Sequence, residues 1–206
     1  MKKRTINAFT LVEMLIVIVI IGILIAALMP RMQAAQGRAR DVSRKTALSQ
    51  IQSAIVTSQW DLGRRPGCSS AQDCSTWNVW MSIGSLQTEL QNAWMSWVPK
   101  DPLGSTVFWL GTSGGLAEYW YLVLTRNGSK NWWFALMAKT EVAWWSNWVS
   151  CASGTNNLGS WSLTKDTDVK DIVLCQTITK SWSGCLSNTG NCTYEKDEYL
   201  RYLIVY

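Results

Sequence analysis

The 206-residue chain contains no histidine. That removes Ser-His and Cys-His nucleophile pairs, imidazole metal sites and the commonest general base. No paired-carboxylate motif takes their place, so the composition points away from an enzyme. Charged residues are scarce, 16% against 48% hydrophobic. This excludes a disordered chain and fits one packed domain plus an anchor. Basic residues exceed acidic ones by five, but Lys2, Lys3 and Arg4 lie ahead of the apolar N-terminal run. The other 16 basic residues against 14 acidic leave about +2, too little to argue for nucleic acid. Residues 101–206 hold no basic cluster either, so a nucleic-acid partner is not expected. No Cys-x-x-Cys pair occurs among the six cysteines, which disfavours zinc.

What the chain does have is a long apolar run with one charge in it. Residues 8–30, AFTLVEMLIVIVIIGILIAALMP, carry a single carboxylate, Glu13. The 21 residues from Phe9 to Met29 are enough to cross the hydrocarbon core as a helix. A carboxylate in such a helix costs a few kcal/mol, less near the helix end, and marks a functional partner by default. A secretory signal peptide would be cut near Ala34 and Ala35, but its apolar stretch is shorter and has no use for Glu13. An ordinary single-span anchor is the other plain reading. Basic residues flank the run on both sides, Lys2, Lys3 and Arg4 before it and Arg31, Arg38, Arg40, Arg44 and Lys45 after it. The positive-inside rule therefore does not fix orientation. The cysteines do: all follow the span and want the oxidising side, which leaves the N-terminus in the cytoplasm.

The segment A-F-T-L-V-E-M-L-I at residues 8–16 resembles the leader junction of type IV pilins and the pseudopilins of type II secretion. The resemblance implies that residues 1–8 are a leader removed by a prepilin peptidase between Ala8 and Phe9. It implies that Phe9 becomes an N-methylated terminus and that Glu13 is the buried glutamate of filament assembly. Ala8 stands where the family usually has glycine. Gly22 and Pro30 fall where pilins often carry these residues; both weaken helix, and in assembled filaments of the family the segment between them can lose helical order. The implied fold is α+β, one long N-terminal helix packed on an antiparallel sheet. Residues 9–30 form its transmembrane and assembly part, 31–59 its amphipathic part, and 60–206 the globular head.

The residues themselves support that division. Ala47, Leu48, Ile51, Ala54 and Ile55 recur at helical spacing, and the charges at Arg38, Arg40, Asp41, Arg44 and Lys45 read as a solvated face. Asp61-Leu-Gly-Arg-Arg-Pro-Gly67 ends the helix. A short helix is expected at Ser85–Leu90. Pro99-Lys-Asp-Pro-Leu-Gly104 reads as a turn in which Asp101 bonds nearby backbone amides, and it resembles the turn ahead of the sheet in major pseudopilins. Strands are expected at Tyr119–Thr125 and Phe134–Val142, joined through the Asn127-Gly128 turn signal. Further strands are expected at Val107–Leu110, Asp171–Thr179 and Tyr199–Tyr206. Residues 150–165 read as an exposed loop and a candidate glycan site.

An even cysteine count in an exported domain reads as disulfides. The spacings favour Cys68–Cys74 and Cys185–Cys192 as small loops, which leaves Cys151–Cys175. No cofactor is expected. Asp166, Asp168 and Asp171 lie close together, and some major pseudopilins hold calcium in a C-terminal loop. Calcium wants six or more oxygens, however, and the interleaved lysines favour a solvated loop. The 14 tryptophans are unusual in placement. Trp132-Trp133, Trp144-Trp145, Trp161 and Trp182 stand beside turns or serines, where glycine is expected. A gene from a lineage that reads UGA as glycine accounts for them. Peptide mass spectrometry of native protein tests this, and intact tryptophan at both doublets rejects it.

The function this sequence leads us to expect is structural: a pilus-like filament subunit that waits in the cytoplasmic membrane and is then extracted outwards. Its partners would be other copies and related pilins, the prepilin peptidase, an inner-membrane assembly platform and, before assembly, lipid. A type II secretion pseudopilin is the alternative, and a DNA-uptake pilin a weaker one.

Overall fold

Apolar residues at helical spacing, with neither glycine nor proline between Arg38 and Leu62, keep the second half of the first element helical. In the computed structural model, α1 spans Leu11–Leu62. The structure describes residues 10–68, 81–92, 95–104, 107–109, 116–127, 129–149, 168–169, 172, 174–180, 190–194 and 196–206. The helix passes through Gly22 and Pro30 unbroken. Proline at position 30 takes away the hydrogen bond that the Ala26 carbonyl would otherwise accept. It ends where Gly63 adopts φ +62°, a conformation that glycine enters without a side-chain penalty. Backbone contacts divide the chain into two units, one up to Gly37 and one from Arg38 onward.

The second unit is built on a five-stranded antiparallel sheet. Its strands are β1 (Met81–Ser82), β4 (Tyr119–Arg126), β5 (Ser129–Lys139), β6 (Trp148–Val149) and β9 (Leu200–Val205), in the order β1-β4-β5-β9-β6. Strands β2 (Phe108–Trp109) and β3 (Leu116–Ala117) pair separately. Strands β7 (Thr177–Lys180) and β8 (Asn191–Tyr194) form a parallel pair. The expected short helix exists as one 3-10 turn, Ile83–Leu86, followed by α2, Gln87–Asn92.

Alternation along β4 and β5 explains why both faces of the sheet are buried. Tyr119, Tyr121 and Val123, with Phe134, Leu136 and Ala138, share a cluster with Ala47, Leu48, Ile51, Ala54 and Ile55 of α1. The helical stripe read from the sequence is therefore the one that packs on the sheet. Trp120, Leu122 and Leu124, with Ala135 and Met137, face the opposite way and pack with Phe108, Trp148 and Leu203. Strand β5 begins at Ser129, not Phe134, because the turn at Asn127 pairs Arg126 directly with Ser129. Asn127 takes φ +51°, the left-handed geometry that a two-residue hairpin requires. Among the described residues of the expected strand Asp171–Thr179, Thr177 onward is strand and 172 and 174–176 are not. Trp60, Trp97 and Trp144 are exposed, whereas Trp120 and Trp148 are fully buried.

Of the charges expected to form a solvated face on α1, Arg38 is exposed, but Arg40 and Lys45 are half-buried. Asp41 and Arg44 are completely buried. Arg44 forks onto Asp101, Nε to Oδ2 at 2.5 Å and Nη2 to Oδ1 at 3.1 Å. Its Nη1 also donates to Asp41 Oδ1 at 2.9 Å and Glu141 Oε1 at 2.7 Å. Arg40 makes a second fork onto Glu141, at 2.8 and 2.6 Å. Asp41 accepts the backbone N–H groups of Glu141 and Val142 at 3.0 Å. Burial alone would lower the Arg44 pKa, and the bonds to Asp101, Glu141 and Asp41 more than offset it and raise it. Hydrogen bonding from Arg40, with help from Arg44, holds the Glu141 carboxyl below its usual range. Lys45 is half-buried, its Nζ 4.4 Å from the centre of the Trp145 ring and 4.1 Å from that of Tyr202.

The same cluster gives the Pro99–Gly104 turn its purpose. Asp101 Oδ1 accepts the Leu103 N–H at 2.9 Å and the Asp101 carbonyl accepts the Gly104 N–H at 2.8 Å. The expected backbone bonds are present, and the carboxylate also carries the ion pair to the helix.

Candidate functional site

Thr10-Leu-Val-Glu13 is the pattern of a helix-capping box, a threonine followed three residues later by glutamate ahead of an apolar run. Both halves of the box are formed. Glu13 N–H donates to Thr10 Oγ1 at 3.3 Å. In return Glu13 Oε2 accepts the Thr10 N–H at 2.8 Å and its hydroxyl at 2.7 Å. The carboxylate satisfies two donors at a helix end whose first N–H groups have no intrahelical acceptor. Its negative charge also lies at the positive pole of the helix. The sequence pattern was sufficient to find Thr10, and attention to Glu13 alone passed over it.

All residues from 10 to 36 are exposed, including the row of isoleucines, leucines and valines between Leu11 and Leu28. Among the described residues, one helix is long and apolar enough to cross a membrane, and it is α1. A Cβ built on Gly22 would meet nothing within 4 Å, so the missing side chain answers no crowding inside the chain. Ala8 and Phe9, the expected cleavage pair, lie outside the described residues.

The cysteine pairing differs from the one that spacing favoured. Cys175 is bonded to Cys192, with Cα atoms 5.6 Å apart. This overturns both Cys185–Cys192 and Cys151–Cys175. The reason is the parallel pairing of β7 with β8, which sets Ile178 beside Cys192 and Thr177 beside Asn191. The Gln176 N–H donates to the Gly190 carbonyl and closes the same corner. Proximity along the chain does not anticipate a parallel pair of strands. Cys68 is also disulfide-bonded. Cys74, Cys151 and Cys185, together with the 150–165 loop, lie outside the described residues.

Asp168 is buried, not solvated. Its Oδ2 accepts the Asn127 N–H at 2.7 Å, and its backbone bridges Thr125 of β4. The carboxylate is therefore engaged in closing the β4–β5 hairpin. Asp166 and Asp171 lie outside the described residues, and among those described no group of three or more acidic or cysteine side chains could hold a metal.

Residues 3–29 match the family model described as the prokaryotic N-terminal methylation motif. The match covers the leader junction, Glu13 and Gly22, and stops one residue before Pro30. No curated protein and no solved structure gives a significant match to the chain. The chain thus carries the class III prepilin motif typical of type IV pilins and pseudopilins, joined to an α+β head.

Proposed function

We propose that the protein is a structural subunit of a type IV pilus-like filament. In this reading it is inserted in the cytoplasmic membrane with its N-terminus inside, cut between Ala8 and Phe9, methylated on Phe9 and extracted into a helical assembly. The observation that carries the reading is Glu13. It is a lone carboxylate in an exposed apolar helix, and its only hydrogen-bond partner among the described residues is Thr10 of the same turn. Four residues before it, cleavage would create an ammonium. On an adjacent copy that ammonium pairs with Glu13, and only one axial stagger brings the two charges together. In a low-dielectric core the attraction is strong, desolvation limits the net gain, and register is its main product. Contacts that repeat head to tail without closing into a ring give a filament.

Two further features support the reading. An exposed apolar helix needs lipid before assembly and other helices after it. The disulfide at Cys175–Cys192 suits an oxidising exterior. A secretion pseudopilin is the second reading, favoured by the Pro99–Gly104 turn. Neighbouring genes separate the two: a secretin with exoprotein genes against a retraction ATPase.

The test of processing is N-terminal peptide mass spectrometry of protein from its native membrane. The expected chain begins at N-methylated Phe9. A start near Ala35 would instead mean an ordinary secreted protein, and retention of Met1 a simple membrane anchor.

A further inference from the structure

Asparagine followed two places later by serine or threonine is the acceptor triplet for a nitrogen-linked sugar. The chemistry needs that triplet on an exposed stretch of an exported protein. Ten asparagines occur in the sequence, and two of them head such a triplet, Asn127-Gly-Ser129 and Asn191-Cys-Thr193. Residues 150–165, the stretch expected to carry a glycan, contain none. Neither triplet includes a tryptophan, so the reading of the tryptophans does not bear on them.

The fold separates the two. Asn191, Cys192 and Thr193 lie extended in β8, in register with Thr177, Ile178 and Thr179 of β7. The middle residue is tied down by its bond to Cys175. In a strand the first and third residues stand about 7 Å apart, which keeps the hydroxyl from folding back onto the asparagine amide. Asn127 is placed differently. The chain reverses between Arg126 and Ser129, which oppose one another across the hairpin. Asn127 is exposed and takes φ +51°, a conformation that asparagine tolerates in turns. Its backbone N–H is held by Asp168 Oδ2 at 2.7 Å. Its side-chain amide makes no hydrogen bond to any described residue, so the backbone is fixed and the reactive nitrogen is free.

The hairpin tip is also clear of the bonds that hold α1 to the sheet. Asp41 accepts the Glu141 and Val142 N–H groups just past β5, and Arg65, just past α1, donates to the Leu124 carbonyl at 3.2 Å. The hairpin thus runs along the helix, and its tip lies beside the end of α1, away from the cluster at Asp41 and Arg44.

We propose that Asn127 is an N-glycosylation site. The donor is a sugar carried on a lipid pyrophosphate, the activated form held on the outer side of the membrane. Asn127 Nδ2 forms a bond to the anomeric carbon, and the bond from that carbon to the phosphate oxygen breaks. The lipid pyrophosphate leaves with the electron pair, and the amide proton passes to a base on the transferase. The site rests on the outward head of the reading above and not on the pairing of Glu13.

The experiment is chymotryptic peptide mass spectrometry of protein from its native membrane, with the N-terminal peptide read in the same run. The peptide holding Asn127 is expected to be heavier by a whole number of sugar residues in most chains, and the peptide holding Asn191 to be bare. Expressed in the native organism, Ser129→Thr should keep the added mass. Ser129→Ala should lose it, although Asn127 remains. Bare Asn127 on chains that begin at N-methylated Phe9 would overturn the site and leave the filament reading standing. A glycan on Asn127 of chains that retain Met1 would uphold the site and sink that reading. Added mass that survives Ser129→Ala, or a glycan on Asn191 in place of Asn127, would also overturn the proposal.

Discussion

Glu13→Gln is expected to insert in the membrane as well as wild type, fold a normal head and fail to enter filaments. The capping box makes this substitution more informative than Glu13→Ala. Glutamine serves as the third residue of the box as well as glutamate does, so its amide oxygen still accepts from Thr10 and the helix start survives. What is lost is the charge. In the proposed assembly the neighbouring Phe9 ammonium then lies buried without a counter-ion, at a cost of about 3–5 kcal/mol. That is enough to lower incorporation by two to three orders of magnitude, roughly, at 1.4 kcal/mol per tenfold. Thr10→Ala makes the complementary change: it removes the hydroxyl, costs about 1 kcal/mol of cap and leaves the carboxylate in place. It should assemble at a reduced level. The quantity to measure is the ratio of filament-associated to membrane-pool subunit with each variant as the sole copy. Full assembly by Glu13→Gln would refute the pairing and reduce Glu13 to a cap.

The second large effect is expected at Arg44. Arg44→Met leaves Asp41 and Asp101 buried without their common partner, and breaking a buried pair from one side costs about 3–5 kcal/mol. Arg44→Lys should recover only part of this, because one ammonium cannot reproduce the fork onto Asp101 while also reaching Asp41 and Glu141. Denaturant unfolding of the detergent-solubilised chain reads the difference as a shift in midpoint at unchanged slope. A shift under 1 kcal/mol for Arg44→Met would mean that the cluster is ornamental. Glu141 adds a pH signature. Its pKa is depressed in the folded protein, so its contribution is complete above the ordinary glutamate range and is lost as pH falls through the lowered value. Arg40→Met, which removes its main donor, should weaken that acid dependence.

These two sites differ in how they could be read from the chain. Glu13 was legible because its surroundings are uniformly apolar, and one carboxylate in such a run has no neutral explanation. The stripe from Ala47 to Ile55 and the Asn127-Gly128 turn were legible for the same reason: each is a local pattern whose consequence is also local. Asp41 and Arg44 were not. On a helix, a buried ion pair and a solvated one have the same spacing, and the partners that decide between them, Asp101 and Glu141, lie 57 and 97 residues from Arg44. The Cys175–Cys192 bond depends on a parallel strand pair, which also leaves no short-range mark. Arg65 sits in a helix-ending sequence that looks like surface, and only the fold buries it.

The position of β9 has a consequence for how the molecule comes into being. It lies inside the sheet, between β5 and β6, pairing Ala135 with Val205 and Lys139 with Arg201 on one side and Trp148 with Arg201 on the other. The β4–β5 hairpin, by contrast, closes through a two-residue turn before β9 is made, and the Asp168 carboxylate joins that turn later. During synthesis and export the hairpin is therefore available first, and one edge of β5 remains open until residues 200–205 arrive. That edge carries Ala135, Leu136, Met137 and Ala138, all fully buried in the finished fold, and an open apolar edge invites pairing with other chains. While it is open, a nascent subunit is sticky toward its own kind in a way that has nothing to do with filament register. A ribosome that stalls between residues 140 and 199 would leave a product held at the membrane with its aggregation-prone strand exposed.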